Sequence, residues 1–93
     1  MPGFDAHNRL VEIAYASASN DTSRRRVNLH RISEASNGEF WYFTGHCHLR
    51  NARRNFRSDR IKLLWDLKDG GECIEDVEAW IERLRLSSLD DAS

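Results

Sequence analysis

The stretch EFWYFTGHCHLRNARRNFRSDRI, Glu39 to Ile61, decides the fold and raises the functional question at once. Four consecutive aromatics, Phe40 to Phe43, are followed by two histidines and five arginines, against only two acids, Glu39 and Asp59. In a β-strand alternate residues share a face. From Phe40 onward the odd positions are Trp41, Phe43, Gly45, Cys47 and Leu49, an apolar set that belongs in a core. The even positions are Phe40, Tyr42, Thr44, His46, His48 and Arg50. They form a row of hydrogen-bonding and cationic groups spaced about 7 Å apart, twice the rise per residue. A long strand is therefore expected from Phe40 to about Arg50. Asn37-Gly38, just before it, predicts a tight hairpin with positive φ at both central positions.

Working outward, LVEIAYAS at 10–17 alternates with Val11, Ile13 and Tyr15 on one side, which predicts a half-buried strand. SASNDTS follows as a turn. RRRVNLHRISEA at 24–35 alternates through Val27 and Leu29, then Ile32 falls out of phase, so a bulge or bend is expected near His30–Arg31. After a polar loop, RNARR, a fourth strand region covers 55–66 with an interruption near Ser58–Asp59, and DLKDGGE ends the sheet. Ile74, Val77, Trp80, Ile81 and Leu84 then form one stripe of a helix expected over about 73–86, with Trp80 packed against the sheet. Trp65 reads either as core or, if exposed, as part of a dimer surface. Both chain termini are expected to fray. Successive strands followed by one helix indicate a mainly β fold: four to five antiparallel strands closed into an SH3-type barrel, since closure hides sheet edges, with a C-terminal helix.

Ninety-three residues make a single domain with one modest core, the barrel over about 10–66 and the helix after it. No apolar run approaches the roughly 20 residues needed to span a bilayer, so no membrane partner is expected. The first residues lack the pattern of a secretion signal. Two cysteines, Cys47 and Cys73, are too few for a disulfide framework; a cytoplasmic chain with reduced thiols is expected. The net charge of −1 hides a segregation. Residues 24–62 carry ten Lys/Arg against three acids, whereas residues 63–93 carry three against nine. Such asymmetry indicates an anionic partner for the middle segment, or attraction between the two halves within the fold.

Aromatics interleaved with arginines are what single-stranded nucleic acid or nucleotide recognition needs, because rings stack on bases while cations meet the backbone. Tyr42 is the stacking candidate. His46, Arg50, Arg57 and Arg60 are the phosphate candidates, with His48 and Arg54 peripheral. Other chemistries fit less well. His46 and His48 share a face and present two ligands to a metal, but a third, His30 or Cys73, would have to arrive by the fold, and no Cys-x-x-Cys or His-Glu-x-x-His spacing occurs. No Gly-rich phosphate loop and no serine elbow is present. Asp59 has no paired acid or base for hydrolysis. No enzymatic activity, cofactor or metal is therefore expected. In a competing reading the arginines meet an acidic protein, or the sheet edges pair in a homodimer.

The Trp41-Tyr42-Phe43 run, with Arg54-Asn55-Phe56-Arg57-Ser58-Asp59-Arg60-Ile61 after it and VEIAY and RRRVNLHRI before it, resembles the WYL domain of bacterial regulators over roughly residues 10–66. The resemblance implies a Sm-like, SH3-type barrel that senses a nucleic-acid or nucleotide ligand, single-stranded DNA among them, in transcriptional or defence-related regulation. It places the family's polar pocket on Tyr42, His46, Arg50, Arg57 and Arg60, with Arg54 a weaker addition. Three positions depart from the pattern. Phe43 replaces a leucine, Asn28 stands where proline is common, and Ser58 replaces an apolar residue, which predicts a looser fourth strand. The family's usual helix-turn-helix partner is not in this sequence, so an excised domain, or a sensor working through a DNA-binding domain or partner protein outside it, is expected.

Overall fold

The computed structural model describes residues 3–17, 19 and 21–91. Six strands, β1 (Gly3–Ala16), β2 (Thr22–Glu34), β3 (Trp41–Cys47), β4 (Ala52–Arg57), β5 (Ile61–Asp66) and β6 (Glu72–Ile74), precede one helix, α1 (Val77–Asp91). They form one antiparallel sheet in the order β4-β3-β2-β1-β5-β6. The long β1–β2 pair is its spine. The alternation of Val11, Ile13, Val27 and Leu29 is what builds that spine, since each side chain is removed from water on one face.

The sheet cannot be flat. β4 ends at Arg57 and β5 begins at Ile61, yet four strand spacings separate them in the sheet. That is about 19 Å on a flat surface, and the chain between them reaches at most about 14 Å. The sheet must therefore roll, and the short 3-10 turn Ser58–Arg60 carries the chain across the seam. The Arg57 backbone N–H donates to the Tyr15 hydroxyl at 3.1 Å, and the Tyr15 and Phe56 rings meet edge-on at 5.1 Å. A side chain thus bridges the seam where a barrel would have a ladder. The result is an open, rolled sheet with β4 and β6 at its edges, and not the closed barrel that edge-hiding predicts.

The core lies inside the roll. Val11, Val27, Ile32, Phe43, Cys47, Leu64 and Ile81 are essentially inaccessible. α1 packs on this inner face through Trp80, whose ring lies 6.0 Å from that of Phe43. The buried Asp66 carboxylate locks the helix in place. It receives the Arg9 guanidinium (2.8 and 3.2 Å) and the Trp80 indole N–H (3.1 Å).

Several local expectations change. β1 starts at Gly3, well before residue 10, and β6 adds a sixth strand after the turn at Gly70-Gly71, where both glycines have positive φ. Ile74 belongs to β6, and α1 begins only after Asp76, which caps it by accepting the Ala79 N–H, so the helix spans 77–91 rather than 73–86. Three residues are too few for an alternation to show, so Ile74 read as part of the helical stripe. The bulge falls where its phase slip predicts: Leu29 pairs Gly45 and Arg31 pairs Thr44, leaving His30 extra. In the Asn37-Gly38 turn only Gly38 has positive φ. β3 stops at Cys47, and Leu49, assigned to the core by parity, is 59% exposed because the chain has already turned.

Candidate functional site

Directly opposed residues on neighbouring antiparallel strands share a face. The register therefore shows which groups accompany the Tyr/His row of β3. Tyr42 faces Arg57 and Ser33, Thr44 faces Asn55 and Arg31, and His46 faces Arg53 and Asn28. All of these lie on the outer face of the roll, opposite the core and α1. The same register puts Arg54 across from Gly45, on the core-side parity, at the exposed edge strand. Arg53, not Arg54, thus joins the row. Arg50 stands exposed in the β3–β4 turn, and Arg60 sits half-buried in the 3-10 turn after β4.

The row has two centres, separated by four residues of β3 or about 13 Å. At the first, the Arg57 guanidinium lies 4.0 Å above the Phe40 ring, which is itself edge-on to Tyr42 at 5.1 Å. Asp59 grips Arg57 with both oxygens, at 3.1 and 2.7 Å. That hydrogen bonding holds the Asp59 carboxyl below the usual carboxylate range despite slight burial, and Arg60 adds to the effect. Asp59 therefore stays ionised and fixes the direction of Arg57, while the Arg57–Asp59–Arg60 group retains one net positive charge. Ser58 does not loosen this end. It is buried and accepts the Trp41 N–H on its Oγ at 2.8 Å, which pins the start of β3 to the 3-10 turn.

At the second centre the His46 and His48 rings meet edge-on at 5.2 Å. The His48 Nε2–H donates to Asn28 Oδ1, and the His48 backbone N–H donates to the Arg26 carbonyl at 2.9 Å. Asn28 thus orients a histidine from the position where proline would offer nothing. A hollow of about 210 Å³ beside it is lined by Arg53, Arg54 and Asn55. Two other concavities, of about 100 and 320 Å³, lie at the α1 seam around Arg9, Lys68, Leu84 and Ser87. None of these three hollows is lined by Tyr42, His46 or Arg57; what those side chains share is one face of the sheet. Among the described residues no group of three or more His, Cys, Asp or Glu is placed to hold a metal ion. Cys47 is fully buried among apolar side chains.

Counted by parity, the outer face of the strands carries Arg24, Arg26, Arg31, Arg53 and Arg57 against Asp5 and Glu12. Arg53, Arg31 and the β2 arginines become visible only through strand pairing. Their signal in the sequence is the dense RRR run and the RxxR spacing, which do not say which face each residue takes.

Residues 6–64 match the family model for the WYL domain, more than half of the chain. The chain belongs to the WYL family. Among solved structures, this WYL domain is similar to proteasome accessory factor B/C (PafBC) of Arthrobacter aurescens, with 28% sequence identity and a TM-score of 0.57. The similarity covers 74% of this chain but only 10% of that one, so the WYL domain here corresponds to a small part of the larger protein. No curated protein matches the sequence. No helix among the described residues is long and apolar enough to cross a membrane.

Proposed function

We propose that this WYL domain is a non-enzymatic, ligand-sensing module of a transcriptional regulator, and that its ligand is a nucleic acid or nucleotide held on the outer face of the sheet. Family membership and the likeness to PafBC support the regulatory part of this reading. One observation carries the ligand: Tyr42, His46, Arg53 and Arg57 stand side by side on one face of β3 and β4, with Phe40 and Asp59 orienting Arg57. Tyr42 would stack on a base, and Arg57 with Arg60 would meet a phosphate at the first centre. His46, Arg53, Arg50 and His48 would meet the backbone at the second, with Arg54 at the edge. Occupancy would shift how the domain docks on a DNA-binding domain, a partner protein or a second copy, because a ligand moves an equilibrium only through contacts it makes in one state.

The test is binding of fluorescein-labelled thymidine and uridine oligomers and of cyclic nucleotides, measured by anisotropy at low salt. The double variant Arg57→Ala, Arg60→Ala should keep its circular-dichroism spectrum and bind at least about tenfold more weakly, since each charge-assisted contact is worth about 1.5–3 kcal/mol. If no nucleic acid or nucleotide binds the intact domain, the arginines serve an acidic protein partner or a dimer contact instead.

A further inference from the structure

The outer face carries a second aromatic–arginine contact, on β2 and β5, apart from the Tyr42 row. Trp65 of β5 is only half-buried and is paired with Glu12 on one side and Cys73 on the other. Glu12 is outward by parity, because Val11 and Ile13 fill the core, so Trp65 is outward as well. The Arg24 guanidinium lies 4.3 Å above its ring. Glu12 pairs with both Arg24 and Arg26, one carboxylate for two guanidiniums, so the station keeps a positive charge. It is also continuous with the row described above. Glu12 is opposite Arg26, whose carbonyl receives the His48 N–H, so His48, Arg26, Glu12 and Trp65 follow one another across the end of β3, β2, β1 and β5. α1 covers the inner face and leaves this path open.

We propose that Trp65, with Arg24 and Arg26, is a second stacking and phosphate station, and that the ligand is a single strand of nucleic acid laid across the outer face from Tyr42 to Trp65, and not a mononucleotide. The inference rests on the nucleic-acid reading above. The two stations are three strand spacings apart laterally, and six residues apart along β3, a path of about 25 Å followed along the surface of the rolled sheet. That length suits the roughly 4–16 nucleotides that small single-strand-binding barrels cover. Trp65 supplies a π-face, Arg24 caps it, and a phosphate bridging Arg24 and Arg26 would take over from Glu12.

Thymidine oligomers of about 2, 4, 8 and 12 nucleotides separate the possibilities by anisotropy. Affinity should rise at least about tenfold from the shortest to the longest, the worth of one stacked base. Trp65→Leu and, separately, Arg24→Gln with Arg26→Gln should abolish that gain while leaving binding of the shortest oligomer unchanged. Because Trp65→Leu can perturb β5, photocrosslinking of bromouracil-substituted oligomers to the unaltered domain is a second readout, expected on the peptide that contains Trp65. Length-independent binding that still depends on Arg57 overturns the second station and leaves the first. Wild-type affinity for the longest oligomer in both variants, with no crosslink at Trp65, does the same. No binding at any length sinks both readings.

Discussion

Gly45 shows at the scale of one residue how the site is set. It sits in the middle of β3, between the Tyr42 and His46 centres, facing the point where β2 bulges at His30. A Cβ at this position would run into the Asn28 carbonyl oxygen and crowd the backbone of Leu29. Only glycine lets β2 approach closely enough for Asn28 to face His46 and hold His48. Gly45→Ala should therefore cost about 3 kcal/mol, at the high end for overpacking, because the atom it meets is backbone and cannot rotate away. A lowered urea midpoint with an unchanged slope would show it; a midpoint equal to that of the unaltered protein would refute the tight contact. The alternation that picks out Tyr42 and His46 was legible because strand parity is a property of neighbouring residues. The choice between Arg53 and Arg54 was not. It depends on how many residues the β3–β4 turn uses, and Asn51, with positive φ, closes that turn so that β4 starts at Ala52.

At the scale of an element, the helix is held by a carboxylate that no motif marked. Burial works against ionisation of Asp66, but hydrogen bonds from Arg9 and the Trp80 indole outweigh it, and the carboxyl lies below its ordinary value. A depressed pKa means that its stabilisation is fully present above the unfolded value near 4 and is lost as pH falls through the folded value. The domain should therefore lose stability below about pH 4. Asp66→Ala should be less stable at neutral pH by about 3 kcal/mol, because it removes the carboxylate that accepts from the mostly buried Arg9 guanidinium and from the buried Trp80 indole N–H. The variant's denaturant midpoint should also vary less with acid than that of the unaltered domain. An equally steep acid dependence in Asp66→Ala would show that another group carries it. The stripe of Val77, Trp80, Ile81 and Leu84 foretold a helix, as periodicity does for any amphipathic segment. Its start was hidden, because Ile74 satisfies the stripe equally well while pairing with Leu64 in β6.

For the whole molecule, charge segregation becomes geometry. Five of the nine arginines of the 24–62 segment, Arg24, Arg26, Arg31, Arg53 and Arg57, lie on the outer face of the rolled sheet, while α1, with Glu78 in its first turn, packs on the inner one. A polyanion on that face should show affinity falling steeply with salt, by about 0.7 log units per log unit of salt for each phosphate neutralised. Arg57→Ala should lower the slope by about one such contact, whereas Arg83→Ala, on α1, should leave it unchanged. Equal slopes in all three proteins would show that the outer face is not the contact surface. The sequence by itself determined the four strand regions that carry most of the core, an interruption near Ser58–Asp59, a bulge near His30–Arg31 and the polar row of β3, because each is written in the spacing of nearby residues. Only the tertiary structure decided that the sheet rolls without closing, that Tyr15 bridges the seam, that Arg53 joins the row, and that Trp65 shares a face with it. Those outcomes depend on register and on a chain too short to cross a flat sheet, and neither is contained in any local pattern.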